Sequence, residues 1–412
     1  MNRNGAEKLR FTIGIYAMML VSAFCTSAQG TLLSDFIGQY HLESSAQGLM
    51  SAAQSAGNLC AVFLIGLLVG KLRKSTVLAI AAVATPCVFF LLGMQPVFAA
   101  ALGAFFVYGI AFGFLDSLAS SMMADLYQSD SARYMNLLHG CYGVGGLTGP
   151  LIIRWMRLSG VAWYGVMQIC ALAALIAAAA YLAALLTSGS IRRQFAAQPN
   201  QIHRADLAGY LRERRKCLLL VCAFLYGAHQ MGITVWVTRY ISEYLREPRW
   251  GAAALSCFWL GITASRLILA RFRPPRKQTI LICHCVTAAA TAAGVLSGSG
   301  SIMTACCGIA GCAEGPVLPF TLDIACEWEG ERSCLGSTMV LFAHYTGFIV
   351  CAPAVAFVIA RIGIRSGMIL PALLSAIAAV VCARLIRTGA GCSAATAGRW
   401  SWAPSCLAIV SA

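Results

Sequence analysis

The sequence predicts an all-α membrane protein of twelve transmembrane helices, built as two parallel six-helix repeats with both termini on the cytoplasmic side. Three observations predict it. The 412 residues are 59% hydrophobic and only 11% charged, against roughly 25% charged in soluble domains. Apolar stretches of about 18–25 residues, enough to cross a ~30 Å hydrocarbon core, recur along the chain. The two halves also match each other at an offset near 200 residues. This composition excludes a secreted disulfide scaffold, a disordered chain and an ordinary cytosolic enzyme. A bilayer is the solvent that fits it.

The predicted spans cover residues 11–33, 48–70, 75–93, 97–122, 135–156, 161–187, 217–240, 251–270, 279–298, 301–322, 333–359 and 366–388. The first resembles a signal peptide, with Arg3, Lys8 and Arg10 ahead of an apolar run ending at Thr26-Ser27-Ala28. Loop charge argues against cleavage. With the N-terminus inside, 22 of the 30 Lys and Arg residues fall on the inner side and 7 on the outer, with Arg266 inside the eighth span. That bias orients the chain N-in and C-in, and it also accounts for the formal net charge of +15. The 19 cysteines contain no C-x-x-C pair, and none falls in an outer loop, so neither zinc nor disulfides are expected. Cys283-His284-Cys285 is read as lipid- or core-facing filler, with His284 near the interface.

The domain plan follows. Residues 1–187 form the first six-helix bundle and 217–388 the second, joined by a basic cytoplasmic linker at 188–216. The linker reads as a solvated connection, with anionic lipid binding as the alternative. Residues 389–412 form a cytoplasmic tail rich in Ala, Ser and Gly, with no role assigned.

The internal repeat rests on four matches in the same order. Phe24-x-x-x-Ala28-Gln29 matches Phe224-x-x-x-Ala228-His229, and Leu67-Leu68-x-x-Lys71-x-Arg73 matches Leu267-Ile268-x-x-Arg271-x-Arg273, both offset by 200. Gly113-x-x-Asp116 with Asp125 matches Gly311-x-x-Glu314 with Asp323, and Thr148-Gly149 matches Thr346-Gly347, both offset by 198. Each repeat starts on the same side of the membrane, so the two are parallel, related by an axis along the membrane normal.

Three motifs then carry a resemblance: Gly113-Phe114-Leu115-Asp116-Ser117; Asn136-Leu137-Leu138-His139 leading to Gly143-x-Gly145-x-x-x-Gly149-Pro150; and Phe258-Trp259-Leu260-Gly261 through Ser265-Arg266. The chain resembles the major facilitator superfamily of transporters, nearest in pattern to its fucose-permease-like branch, over nearly all residues up to about 388. It departs from that pattern in three places. Gly70-Lys71-Leu72-Arg73-Lys74 lacks the expected Asp, Gln29 stands where an embedded Asp is usual, and Ser265 replaces the Gly before Arg266.

A charge at mid-bilayer needs a partner or a water-filled cavity. Asp116 and Glu314 are such carboxylates and are repeat-equivalent, as are Gln29 and His229. In the resembled fold, spans one, four, seven and ten line a central cavity. These four residues are therefore expected to ring the solute site, with Asp116 and Glu314 exchanging protons. A permanently paired, inert ion is the plainer alternative. His344 is placed at a depth where it can bond Glu314, a backbone carbonyl being the alternative. Asn136, His139, Trp236 and His344 are further solute-binding candidates. Arg266 is expected to snorkel to the cytoplasmic surface. Pro316 and Pro319 are expected to kink span ten beside Glu314.

Asp125 with Arg133, and Asp323 with Arg332, bracket equivalent cytoplasmic turns and are expected to latch an inner gate, ordinary surface pairing being the alternative. Gly145-x-x-x-Gly149-Pro150 is read as helix packing, although it partly matches the antiporter motif of drug exporters.

The expected function is therefore proton-coupled symport of a small polar solute, a sugar among the candidates, by a monomer in a bacterial cytoplasmic membrane. Efflux of amphipathic compounds in exchange for protons is the alternative. No zinc-protease, nucleophile-elbow or phosphate-loop motif points to an enzyme, and no metal, cofactor or nucleic-acid partner is expected.

Overall fold

The computed structural model describes residues 3–41, 49–68, 71–195 and 204–390. Gly70 of the basic loop, the middle of the linker and nearly all of the tail from 389 to 412 lie outside the described residues.

Among the described residues sixteen α-helices follow one another. They are α1 (Arg3–Thr31), α2 (Leu33–Tyr40), α3 (Leu49–Leu68), α4 (Lys74–Gly93), α5 (Phe98–Leu126), α6 (Ser131–Leu158), α7 (Trp163–Thr187), α8 (Gly189–Gln194), α9 (Arg204–Arg212) and α10 (Arg214–Arg239). Then come α11 (Pro248–Leu269), α12 (Arg276–Ser297), α13 (Gly300–Glu314), α14 (Val317–Glu329), α15 (Ser333–Ile362) and α16 (Ile364–Ala390). A π-helical turn, Tyr240–Tyr244, continues α10.

Among the described residues, nine helical stretches are long and apolar enough to cross a membrane. Three features separate nine from the twelve expected. The stretch Gly300–Ile362 takes in α13, α14 and α15 as one, and the apolar stretch of α3 runs only over Leu49–Ile65. The second long helix outside the nine, α6, carries Arg133, Arg154, Arg157 and a run of glycines that lower its hydropathy.

The packing repeats itself between the halves. In the first half α1 packs on α6 and α7, α3 on α5, and α4 on α5 and α7. In the second, α10 packs on α15 and α16, α11 on α13, and α12 on α13 and α16. Each first-half pairing has its counterpart when α1, α3, α4, α5, α6 and α7 are matched to α10, α11, α12, α13–α14, α15 and α16. Buried phenols tie each half together: Tyr181 donates to the Ser75 carbonyl at 3.0 Å and Tyr240 to the Val295 carbonyl at 2.9 Å. Large apolar side chains such as Phe90, Ile176, Ile282 and Val380 stay exposed on the outside, as a lipid-facing surface requires.

Two close helix crossings depend on glycine. A Cβ on Gly145 of α6 would run into the Leu20 carbonyl of α1, and one on Gly347 of α15 into the Phe224 carbonyl of α10. The first of these crossings accounts by packing for Gly145 and Gly149, both of which face α1. As the prolines suggest, the tenth span is broken: α13 stops at Glu314 and α14 starts after Pro316.

Candidate functional site: a polar cavity between the two halves

A cavity of about 100 Å³ lies where the halves meet. Asp116 of α5 and His139 of α6 face it from the first half, and Gln230 of α10, Arg266 of α11, and His344 and Tyr345 of α15 from the second. Phe112, Trp259, Leu318 and Phe348 supply apolar wall.

Asp116 is 5% exposed. It accepts a hydrogen bond from the Tyr345 phenol at 2.6 Å, and His139 Nδ1 stands 3.9 Å from its other oxygen. His139 Nε2 is 3.4 Å from the Ser120 hydroxyl. His344 lies on the Tyr226 ring, with centroids 5.2 Å apart, and near Phe348 at 4.4 Å.

Arg266 departs from the expectation. It is 4% exposed and points into the protein, not toward the surface. Its Nε donates to the Gly315 carbonyl at 2.8 Å, its Nη1 to the His139 carbonyl at 3.3 Å, and its Nη2 to the Tyr226 hydroxyl at 3.3 Å. The break after Glu314 puts the Gly315 carbonyl opposite α11, and this acceptor draws the guanidinium inward. Arg266 lies seven residues after Trp259, two turns on the same helix face. That spacing was the available signal that both line the cavity. Tyr345 gave no signal apart from standing next to His344.

The expected ring of four does not assemble around the cavity. Gln29 turns to α3, where its amide donates to the Ser51 hydroxyl at 3.3 Å. His229 and Glu314 meet each other inside the second half, with Nδ1 2.5 Å from Oε1. His229 Nε2 lies 2.9 Å from the Thr291 hydroxyl of α12. Helix phase is the reason: adjacent positions on a helix face different ways, so Gln230 reaches the cavity and His229 does not. The partner of Glu314 is thus His229, not His344. Asn136 donates to the Ala132 carbonyl of its own helix at 2.8 Å. Trp236 packs against the cluster of Ala228, Cys351 and Val355, away from the cavity. His284 is fully buried beside His229, not interfacial.

The four acidic and basic residues expected to pair at one end of the bundle are present there with other partners. Asp125 is bonded by Lys74 of α4 at 2.8 Å and by the Ser333 hydroxyl of α15 at 2.6 Å, and Lys74 also donates to Ser333 at 2.8 Å. Asp323 is bonded by Arg276 of α12, and Ser131 of α6 lies within hydrogen-bonding reach of it. Arg133 turns instead to Asp130 at 3.7 Å, and Arg332 to Asp206 at 2.8 Å. The reason is geometric: α4 and α12 begin beside the ends of α5 and α14, so their first basic residues reach the aspartates.

The two clusters are alike in holding an aspartate and a base from the same half. Asp125 is also bonded by a serine of the other half, Ser333, whereas Ser131 only lies near Asp323. Nearer the cavity the Ser117 hydroxyl meets Thr338 at 2.8 Å and Ser337 at 3.2 Å. Arg273 adds a bond to Asp130 at 2.9 Å. The hydrogen bonds joining the halves therefore run from the cavity to this one end.

A sequence profile described as the Major Facilitator Superfamily matches residues 15–301. The chain belongs to that superfamily. Among solved structures it is similar to FucP, a major facilitator transporter captured in the outward conformation, with TM-score 0.74 and 15% identity over 91% of this chain and 98% of that chain. It is similar also to a variant of the E. coli fucose:proton symporter FucP, with TM-score 0.69 and 15% identity over 91% and 98%. A third is the human organic anion transporter MFSD10, with TM-score 0.71 and 14% identity over 91% and 99%. No protein of curated function matches the sequence. The pattern of the fucose-permease-like branch read from the motifs thus agrees with the solved folds.

Proposed function

We propose that the chain is a secondary transporter that moves a small polar solute together with a proton. In this reading twelve spans cross a bacterial cytoplasmic membrane with both termini inside. Residues 1–187 and 217–388 form two bundles that rock about the cavity, and 188–216 links them. The repeated helix pairings support the division, and the 22 to 7 split of basic residues supports the orientation. The end closed by Lys74, Asp125, Ser333 and Asp323 is then the cytoplasmic gate, and the structure corresponds to a state shut toward the cytoplasm.

One observation carries the coupling: the buried Asp116 carboxylate faces the cavity and is bonded across the boundary by Tyr345. An ionised carboxylate only accepts hydrogen bonds, whereas a protonated one also donates. Loading a proton on Asp116 therefore changes a bond that joins the halves, at the place where the solute sits. His139 and His344 are the solute contacts among the residues picked from sequence, joined by Gln230 and Trp259. Glu314, paired with His229, is a second protonable group outside the cavity. The solved neighbours include a fucose:proton symporter and an organic anion transporter, both of which fit a polar cargo.

The test uses the full chain in proteoliposomes holding a trapped pH dye, with sugars, polyols and organic acids added outside. Interior acidification by one compound, lost in Asp116→Asn while solute-for-solute exchange persists, is the expected result. Concentrative uptake retained by Asp116→Asn overturns the assignment, and interior alkalinisation replaces symport with exchange for protons.

A further inference from the structure

The cavity contains a cation in no direct ion pair. Arg266 is 4% exposed, and among the described residues no carboxylate touches it; Asp116 lines the same cavity at a greater distance. Its three hydrogen bonds go to two carbonyls and a phenol, all neutral. A guanidinium has five N–H donors, so two remain. Burying such a charge without a direct partner is costly. Other polar atoms at the same cavity also lack partners, namely Asp116 Oδ1 and His344 Nδ1.

We propose that the solute carries one carboxylate and that Arg266 is its counter-ion in the cavity. The proposal rests on the symport reading above and names its substrate class. The carboxylate takes the two unused guanidinium N–H groups, one on Nη1 and one on Nη2, in a two-pronged contact. Gln230 and His344 hydrogen-bond the polar remainder. Trp259, Phe112 and Leu318 cover its carbon skeleton. About 100 Å³ has room for roughly three waters at about 30 Å³ each, which suits a small hydroxy acid.

The same arrangement ties the solute to the proton. Asp116 faces His139 and Tyr142 of α6, Gln230 of α10, Arg266 of α11, and His344 and Tyr345 of α15 around this cavity. With Asp116 ionised, a second anion beside it is repelled. With Asp116 protonated, the positive charge of Arg266 is left for the solute. Anion and proton therefore load together, and one cycle carries no net charge for a monoanion.

The test begins with the unaltered full chain in nanodiscs and calorimetric binding of matched pairs: glycerate and glycerol, galacturonate and galactose, lactate and lactamide. At least one acid is expected to bind about tenfold or more tightly than its neutral partner, as loss of a charged bidentate contact implies. Arg266→Gln is expected to erase that difference and Arg266→Lys to restore part of it. The wild-type comparison stands even if a variant misfolds.

Uptake of the bound acid into vesicles, corrected for leak in protein-free vesicles, is expected to keep its rate when a potassium–valinomycin potential is imposed. A neutral compound binding as well as its acid, or no acid binding at all, overturns the proposal while leaving proton symport standing. An acid that binds through Arg266 yet moves no protons keeps the anion site and removes the symport reading.

Discussion

The Tyr345 hydroxyl donates to Asp116 Oδ2 at 2.6 Å, joining α15 of the second half to α5 of the first. A hydrogen bond to a charged group contributes about 1.5–3 kcal/mol, so this contact is large enough to bias the balance between two transporter states. Replacing Tyr345 by Phe removes it without changing the ring. Proton-linked uptake is expected to fall about tenfold or more, with the protein still folded by thermal unfolding in detergent. Unchanged coupling would mean that the bond is only packing.

Lys74 is buried and bonded to Asp125 and to Ser333 in the other half. Lys74→Met removes the buried cation that bonds both Asp125 and Ser333, at a cost of about 3 kcal/mol. The closed end is expected to open more often. A cysteine introduced at Ser337, inside that end, should then react faster with a maleimide applied from the cytoplasmic side. Equal labelling rates in the two backgrounds would remove Lys74 from the gate.

His229 and Glu314 are both fully buried, with side chains 2.5 Å apart. Glu314→Leu is expected to destabilise the second half by about 3–5 kcal/mol, because it strands the histidine. Replacing both by leucine should cost less than the two single changes together, a coupling read from unfolding of the four proteins of a double-mutant cycle. Strict additivity would show that the pair does not interact.

Gly145 and Gly146 make an internal control. A Cβ at Gly145 meets α1 backbone, whereas one at Gly146 meets nothing within 4 Å. Gly145→Ala should therefore cost about 1–3 kcal/mol, while Gly146→Ala should be neutral or slightly stabilising. Thermal unfolding of the two variants side by side decides it.

The helices, the repeat and Asp116 were legible in the sequence because each leaves a local trace: apolar length, order of matches, a charge within an apolar run. What was lost depends on helix phase and on partners far along the chain. His229 and Gln230 are neighbours, and nothing local says which one faces the cavity. Arg266 read as a surface arginine because Arg271 lies a turn beyond it. Its true partners, the carbonyls of Gly315 and His139, are backbone groups 49 and 127 residues away. The aspartate clusters show the same limit: Asp125 and Asp323 stand out in the sequence, but the bases nearest to them in sequence are not the ones they meet in space.

Ser333 of the second half donates to Asp125 and accepts from Lys74, both of the first half. One hydroxyl thus carries two bonds across the boundary, and moving the halves apart at that point stretches both together. Removing that single side chain, as in Ser333→Ala, takes away both contacts and leaves the Lys74 and Asp125 pair intact within its own half.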